Sequence, residues 1–204
     1  MLLECVALLA RAAPSACAPG SYNDGVACVE CAAGFWGDGT TSAADGAECS
    51  GSCSAGTHCG PGSTSAAGEL CGSAQYYCPY GRRLAVGGGY YTTPEAIGSA
   101  PRRGAARCPV GHFCALGLKS LCAAGRYGAT TGLATSACTG DVPAGTYAPA
   151  GSSTPAACPT RHFCIRGTAV PQPCPAGTFG ATTRLTSAQC SGFCREGHWC
   201  PPMS

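Results

Sequence analysis

Cysteines recur along this chain in two spacings, each repeated several times, and no other feature restricts its fold so strongly. One element reads Cys, two residues, Gly, one residue and an aromatic, then small and Thr/Ser-rich residues up to the next Cys. It runs from Cys31 to Cys49, from Cys122 to Cys138 and from Cys174 to Cys190, with a shorter form from Cys17 to Cys28. The last two long copies both contain G-A-T-T-x-L followed by T-S-A. The second element is a tight loop with five residues between its cysteines: Cys53 to Cys59, Cys108 to Cys114, Cys158 to Cys164 and Cys194 to Cys200, with a looser relative from Cys71 to Cys78. Comparing Cys108 with Cys158, and Cys122 with Cys174, gives a period of about 50 residues, the mark of a repeat architecture.

Such repeats have little else to fold around. Of 204 residues, 25 are Leu, Ile, Val or Phe, below the roughly 20% at which a chain struggles to build an apolar core. The 19 cysteines are the substitute, since cross-links replace a core in small extracellular modules. Each short-loop bridge stabilises by about 2–3 kcal/mol, largely by restricting the unfolded chain. Reduced, the same sequence is a loose Gly/Ala/Ser/Thr polymer, so the composition points to an oxidising compartment, extracellular or at the cell surface. No segment keeps a helical period, and Gly and Pro interrupt it throughout. The expected fold is therefore small and disulfide-rich: an elongated tandem array of short two-stranded β-ribbons centred on the aromatic positions, joined by loops, with little helix. The Gly before each aromatic supplies a positive-φ turn that brings its Cys toward a partner.

Residues 1–16 read as a signal peptide or a truncated start. Leu2 to Ala10 is mostly apolar and Ala10-Arg11-Ala12 resembles a cleavage site, but Glu4 interrupts the run. Cysteine-rich repeats occupy 17–78. Residues 79–107 contain no bridging cysteine and form a long loop, a linker or a degenerate repeat starting at Gly89-Tyr90-Tyr91. The arginine pairs Arg82-Arg83 and Arg102-Arg103 there read as solvated loop charges rather than processing sites. Repeats follow at 108–157 and 158–204, the second stopping in mid-unit, as in a fragment of a longer array.

The repeats suggest a pairing. Cys53 and Cys59 follow Cys49 at offsets of four and ten, and Cys194 and Cys200 follow Cys190 at the same offsets. After Cys138 those offsets hold Val142 and Ala148. Two cysteines are absent together, which is expected if they bond each other. Cys53–Cys59 and Cys194–Cys200 are thus the best supported bridges. Nearest-neighbour pairing extends this to Cys17–Cys28, Cys31–Cys49, Cys71–Cys78, Cys108–Cys114, Cys122–Cys138, Cys158–Cys164 and Cys174–Cys190, leaving Cys5 unpaired. Interleaved pairing within a unit stays open.

The strings CPVGHFC, CAAGRYGATTGLATSAC and CPAGTFGATTRLTSAQCSGFC resemble the ephrin-receptor-like repeats of the growth-factor-receptor cysteine-rich superfamily, with a fainter likeness to tumour-necrosis-factor-receptor and EGF-like modules. Coverage is good from Cys108 to Cys200, fair from Cys17 to Cys78 and poor between. The resemblance implies an extracellular, elongated, mostly irregular β-module used as a spacer or ligand-contact surface. No kinase signature is present.

Chemistry-bearing motifs are few. Cys28, Cys31, Cys49 and Cys53 have acceptable zinc-ribbon spacing, yet Cys31 and Cys49 belong to an element that recurs without a C-x2-C partner. His58, His112, His162 and His198 all lie inside tight cysteine loops, where a bridged cysteine cannot also be a thiolate ligand. Packing or hydrogen bonding beside the bridge is the expected role of each imidazole. No GxSxG, HExxH or P-loop string occurs. The chain carries no basic stripe for a phosphate backbone, no apolar run long enough to span a membrane, and no sign of a cofactor. Three functional classes stand: a non-catalytic extracellular array whose partners are other proteins or neighbouring repeats of a longer chain, with Trp36 and Trp199 as contact candidates; an intracellular Cys/His zinc protein; and a disulfide-rich protease inhibitor with Arg161 or Arg195 as its specificity residue. The first is the leading expectation. Whether a longer parent protein is membrane-anchored stays open.

Overall fold

The computed structural model describes residues 16–41, 48–95 and 101–204. The leader-like stretch Leu2 to Ala10 and the odd thiol of Cys5 lie outside them. The described residues divide into two compact units, one drawn from within Met1–Ala85 and Thr93–Gly104, the other from Val86–Thr92 and Ala105–Ser204.

Among the described residues there is no helix, only short strands that pair two by two. They are β1 (Ser21–Asn23) with β2 (Cys28–Glu30), β3 (Phe35–Trp36) with β4 (Gly51–Ser52), β5 (Thr57–His58) with β6 (Glu69–Leu70), and β7 (Tyr76–Tyr77) with β8 (Leu84–Ala85). Then come β9 (Tyr90–Thr93) with β10 (Gly104–Arg107), β11 (His112–Ala115) with β12 (Leu118–Leu121), and β13 (Arg126–Tyr127) with β14 (Gly140–Asp141). The last are β15 (Thr146–Tyr147) with β16 (Ala156–Ala157), β17 (His162–Phe163) with β18 (Gln172–Pro173), and β19 (Thr178–Phe179) with β20 (Gly192–Phe193). The expectation of a small, disulfide-rich fold of two-stranded antiparallel ribbons holds.

A turn launches each ribbon. Three residues after the opening Cys or Val, nearly every ribbon has a residue with positive φ. A type II turn, in which the fourth N–H donates to the first carbonyl, needs a positive φ at its third residue, where glycine is least strained. Thus Phe35 N–H donates to Ala32 (3.0 Å) across Gly34, and Arg126 N–H donates to Ala123 (3.0 Å) across Gly125. Where a Thr follows the turn residue, its hydroxyl adds a second bond: Thr57, Thr146 and Thr178 donate to the carbonyls of Ser54, Pro143 and Pro175 at 2.7, 2.7 and 2.8 Å.

The turn residue also carries the link to the next ribbon. Its carbonyl accepts from the residue that opens that ribbon: Cys53 N–H to Gly34 (2.9 Å), Val142 N–H to Gly125 (3.0 Å), Cys158 N–H to Gly145 (3.0 Å). Its own N–H reaches a carbonyl six residues into that ribbon: Gly34 to Cys59 (3.0 Å), Gly125 to Ala148 (2.9 Å), Gly145 to Cys164 (2.7 Å). Two-residue strands could not stand alone in water; within each unit these bonds stitch one ribbon to the next.

What these ribbons bury is sulfur. The buried apolar side chains of the described residues are eleven cysteines, Val142 and Ala148. No Leu, Ile or Phe joins them, whereas Leu116, Leu118, Val170, Phe193 and Trp199 are all more than half exposed.

The stretch 79–107 contains β8, β9 and β10. The β9–β10 ribbon obeys the shared rule without cysteines: Gly89 has φ 79°, its N–H donates to Cys114 (3.0 Å), and its carbonyl accepts from Cys108 (2.8 Å). Val86 and Thr92 stand where other ribbons carry bridged cysteines, and Thr92 is buried. The reading of Arg102 as a solvated charge is overturned. It is 7% exposed and its Nη1 donates to the Gly72 carbonyl at 2.6 Å, since a buried guanidinium needs acceptors for its N–H groups and a backbone carbonyl supplies one. Arg83 instead lies over the Tyr76 ring, 3.9 Å from its centroid.

Candidate functional site

Each described cysteine is joined to another. The bridges are Cys17–Cys28, Cys31–Cys49, Cys53–Cys59, Cys71–Cys78, Cys108–Cys114, Cys122–Cys138, Cys158–Cys164, Cys174–Cys190 and Cys194–Cys200. Their Cα–Cα distances run from 5.5 Å at Cys17–Cys28 to 6.3 Å at Cys53–Cys59, the span a disulfide requires. Cys28, Cys31, Cys49 and Cys53, the zinc-ribbon set, fall into three separate bridges.

The histidines turn to the backbone. Nδ1 of His112 lies 3.0 Å from the Val110 carbonyl, that of His162 2.9 Å from Thr160, and that of His198 3.3 Å from Glu196. At each of these three the acceptor is two residues back, so the ring clips its own turn. His58 faces across its ribbon instead, with Nδ1 3.2 Å from the Glu69 carbonyl and Nε2 3.7 Å from the Glu69 carboxylate. Among the described residues no three His, Cys, Asp or Glu side chains gather as a metal site would need. No helix there is long and apolar enough to cross a membrane.

Trp36 is half-buried in β3, whereas Trp199 is 82% exposed. Arg161 and Arg195 are exposed. Arg161 takes the place of the turn glycine, with φ 63°, a conformation that costs an L-residue about 1–2 kcal/mol. In the same unit Asp141 joins two arginines, Arg126 at 3.1 Å and Arg166 at 3.4 Å. In the other, two exposed aspartates hold loops. Backbone N–H groups of Ala27 and Val26 keep the Asp24 carboxyl below its usual range. The Thr40 hydroxyl does so first for Asp38, helped by the Thr40 N–H and the Ser50 hydroxyl.

Two features had no mark in the cysteine pattern. One is a cavity of about 330 Å³ between the first two ribbons, walled by Tyr22, Val29, Ala32 and Phe35 and edged by Glu30 and Glu48. The other is the β11–β12 hairpin, two four-residue strands joined by a two-residue turn, Leu116-Gly117, at φ 53° and 76°. Both central residues being left-handed matches the tight hairpin turn that favours Asn-Gly. Reading Leu-Gly as that turn requires knowing that the flanking four-residue stretches pair.

No family model matches this chain, and no curated protein matches it. What the geometry itself establishes is a small, disulfide-rich, all-β repeat fold of the general kind found in cysteine-rich-repeat superfamilies.

Proposed function

We propose that this chain is a non-catalytic segment of a secreted or cell-surface protein, an array of ephrin-receptor-like cysteine-rich repeats that serves as a spacer and protein-binding surface. One observation carries this reading: the buried apolar set is eleven cysteines with Val142 and Ala148. A core made of so much sulfur is stabilised chiefly by its bridges, which supports an oxidising compartment. Three of the four imidazoles clip their own turns, and among the described residues no three His, Cys, Asp or Glu side chains gather as a metal site would need, which favours the non-catalytic reading. The pairing of each cysteine with its neighbour, and an unpaired Cys5, belong to the proposal.

Thiol titration of the non-reduced protein with intact mass tests it, followed by peptide mapping of the bridges. At most one free thiol is expected, at Cys5, with bridges between neighbouring cysteines. Many free thiols with co-purifying zinc would replace this reading with the intracellular metal-binding one.

A further inference from the structure

The two units carry opposite charge. Residues of Met1–Ala85 and Thr93–Gly104 include eight acidic and five basic side chains, a net of −3; those of Val86–Thr92 and Ala105–Ser204 include two acidic and seven basic, a net of +5. The overall +2 conceals this division. Charge segregated between the two units of one chain makes unlike units of different copies attract.

Each unit also presents one half of an apolar contact. On the basic unit, Leu116 and Leu118 stand at the tip of the β11–β12 hairpin, 67% and 59% exposed. Leu116 is held left-handed and gains no burial for it, although Asn or Gly would fit that position without strain. An exposed leucine kept left-handed at the hairpin tip, with no burial to offset the strain, motivates a role in contact. On the acidic unit, the cavity walled by Tyr22, Val29, Ala32 and Phe35 is of a size that accepts a small apolar group. Its edge carries Glu30 and Glu48, both exposed and so placed to face a basic approaching surface.

We propose that the Leu116–Leu118 tip of one copy seats in the Tyr22–Phe35 cavity of a second copy of this chain, drawn there by the charge difference between the units. The contact is heterologous: each copy keeps one free tip and one free cavity, so association continues beyond a pair unless it closes into a ring. It names a partner for the protein-binding side of the function above. A monomeric protein with all its bridges formed would remove this contact and leave the stapled array intact.

The full-length, non-reduced chain is followed by sedimentation velocity over a range of concentrations, at low and at high salt. Expected is concentration-dependent association that weakens about tenfold or more as salt screens the attraction. A tip variant, Leu116→Asp with Leu118→Asp, and a cavity variant, Phe35→Ala with Glu30→Lys, should each be monomeric alone. Mixed, they should form a one-to-one dimer and nothing larger, since one intact tip and one intact cavity remain. Free-thiol counts equal to those of the parent protein show that both variants are folded. A parent protein that is monomeric throughout overturns the proposal. So does a tip variant that still assembles, or folded variants that fail to pair when mixed, whichever other ligand the cavity then proves to hold.

Discussion

The ribbons opened by Val142 and by Cys158 follow one another in the same unit and differ in their turn residue, Gly145 against Arg161, and above all in how they are closed. The second is closed by Cys158–Cys164, with its Cα atoms 5.9 Å apart. The first has Val142 and Ala148 at the same two places, both fully buried. Their backbones nonetheless make the same bonds. The opening N–H donates to the preceding turn glycine at 3.0 Å in both. Ala148 N–H reaches Thr168 at 3.1 Å and Cys164 N–H reaches Leu185 at 2.9 Å. Val142 and Cys158 carbonyls accept from Gly167 and Arg184 at 2.8 and 2.9 Å. The bridge therefore does not dictate the ribbon's path. The turn and the bonds between ribbons set the path, and the bridge stabilises it against the unfolded chain.

That comparison can be broken most forcefully at the turn. Gly145 has φ 80°, and a Cβ there would lie 2.7 Å from the Arg184 carbonyl oxygen. Gly145→Val should cost about 3 kcal/mol from left-handed strain and overlap, read as a lower denaturant midpoint of the non-reduced protein. Removing only the bridge should do less: Cys158→Val with Cys164→Ala, copying the neighbouring ribbon, should cost about 2 kcal/mol. The converse pair, Val142→Cys with Ala148→Cys, should gain a similar amount and show no added thiol on titration. If the copied ribbon instead becomes the first site of proteolysis and unfolds outright, the bridge does set the path. Arg161→Gly relieves a left-handed residue and should raise the midpoint by the equivalent of about 1 kcal/mol.

The smallest effect concerns pH. Asp38 has a folded pKa below its unfolded value, so its contribution is present above the unfolded value and lost as pH falls through the folded one. Asp38→Asn should lower stability slightly at neutral pH, leave it little changed below the folded pKa, and so flatten the acid limb of a stability profile. NMR titration of the carboxyl checks the sign directly.

Sequence patterning made the ribbon class legible because glycine-then-aromatic after a cysteine is a local signal, and each ribbon is a local structure. The missing pair at Val142 and Ala148 was visible for the same reason, flanked by cysteines at matching offsets. The β9–β10 ribbon was only half visible. Val86 and Thr92 leave no spacing to count, and only Gly89-Tyr90 marks it. The bonds between ribbons leave no trace, being made by backbone groups that any residue supplies. Arg161 hides a turn by standing where a glycine would announce it. Arg102 was misread because a charge pair in a polar stretch looks solvated until the carbonyl of Gly72, 30 residues earlier, is brought to it.

Every described bridge closes within its own ribbon, over 6 to 18 residues of sequence, and none fastens one ribbon to the next. Pulled at its two ends, such a chain yields at the hydrogen bonds between ribbons, one joint after another, while the sulfur loops withhold their enclosed residues from extension. Its length under load would thus grow in short, arrested steps and recover by re-forming the same joints, with reducing conditions releasing the slack.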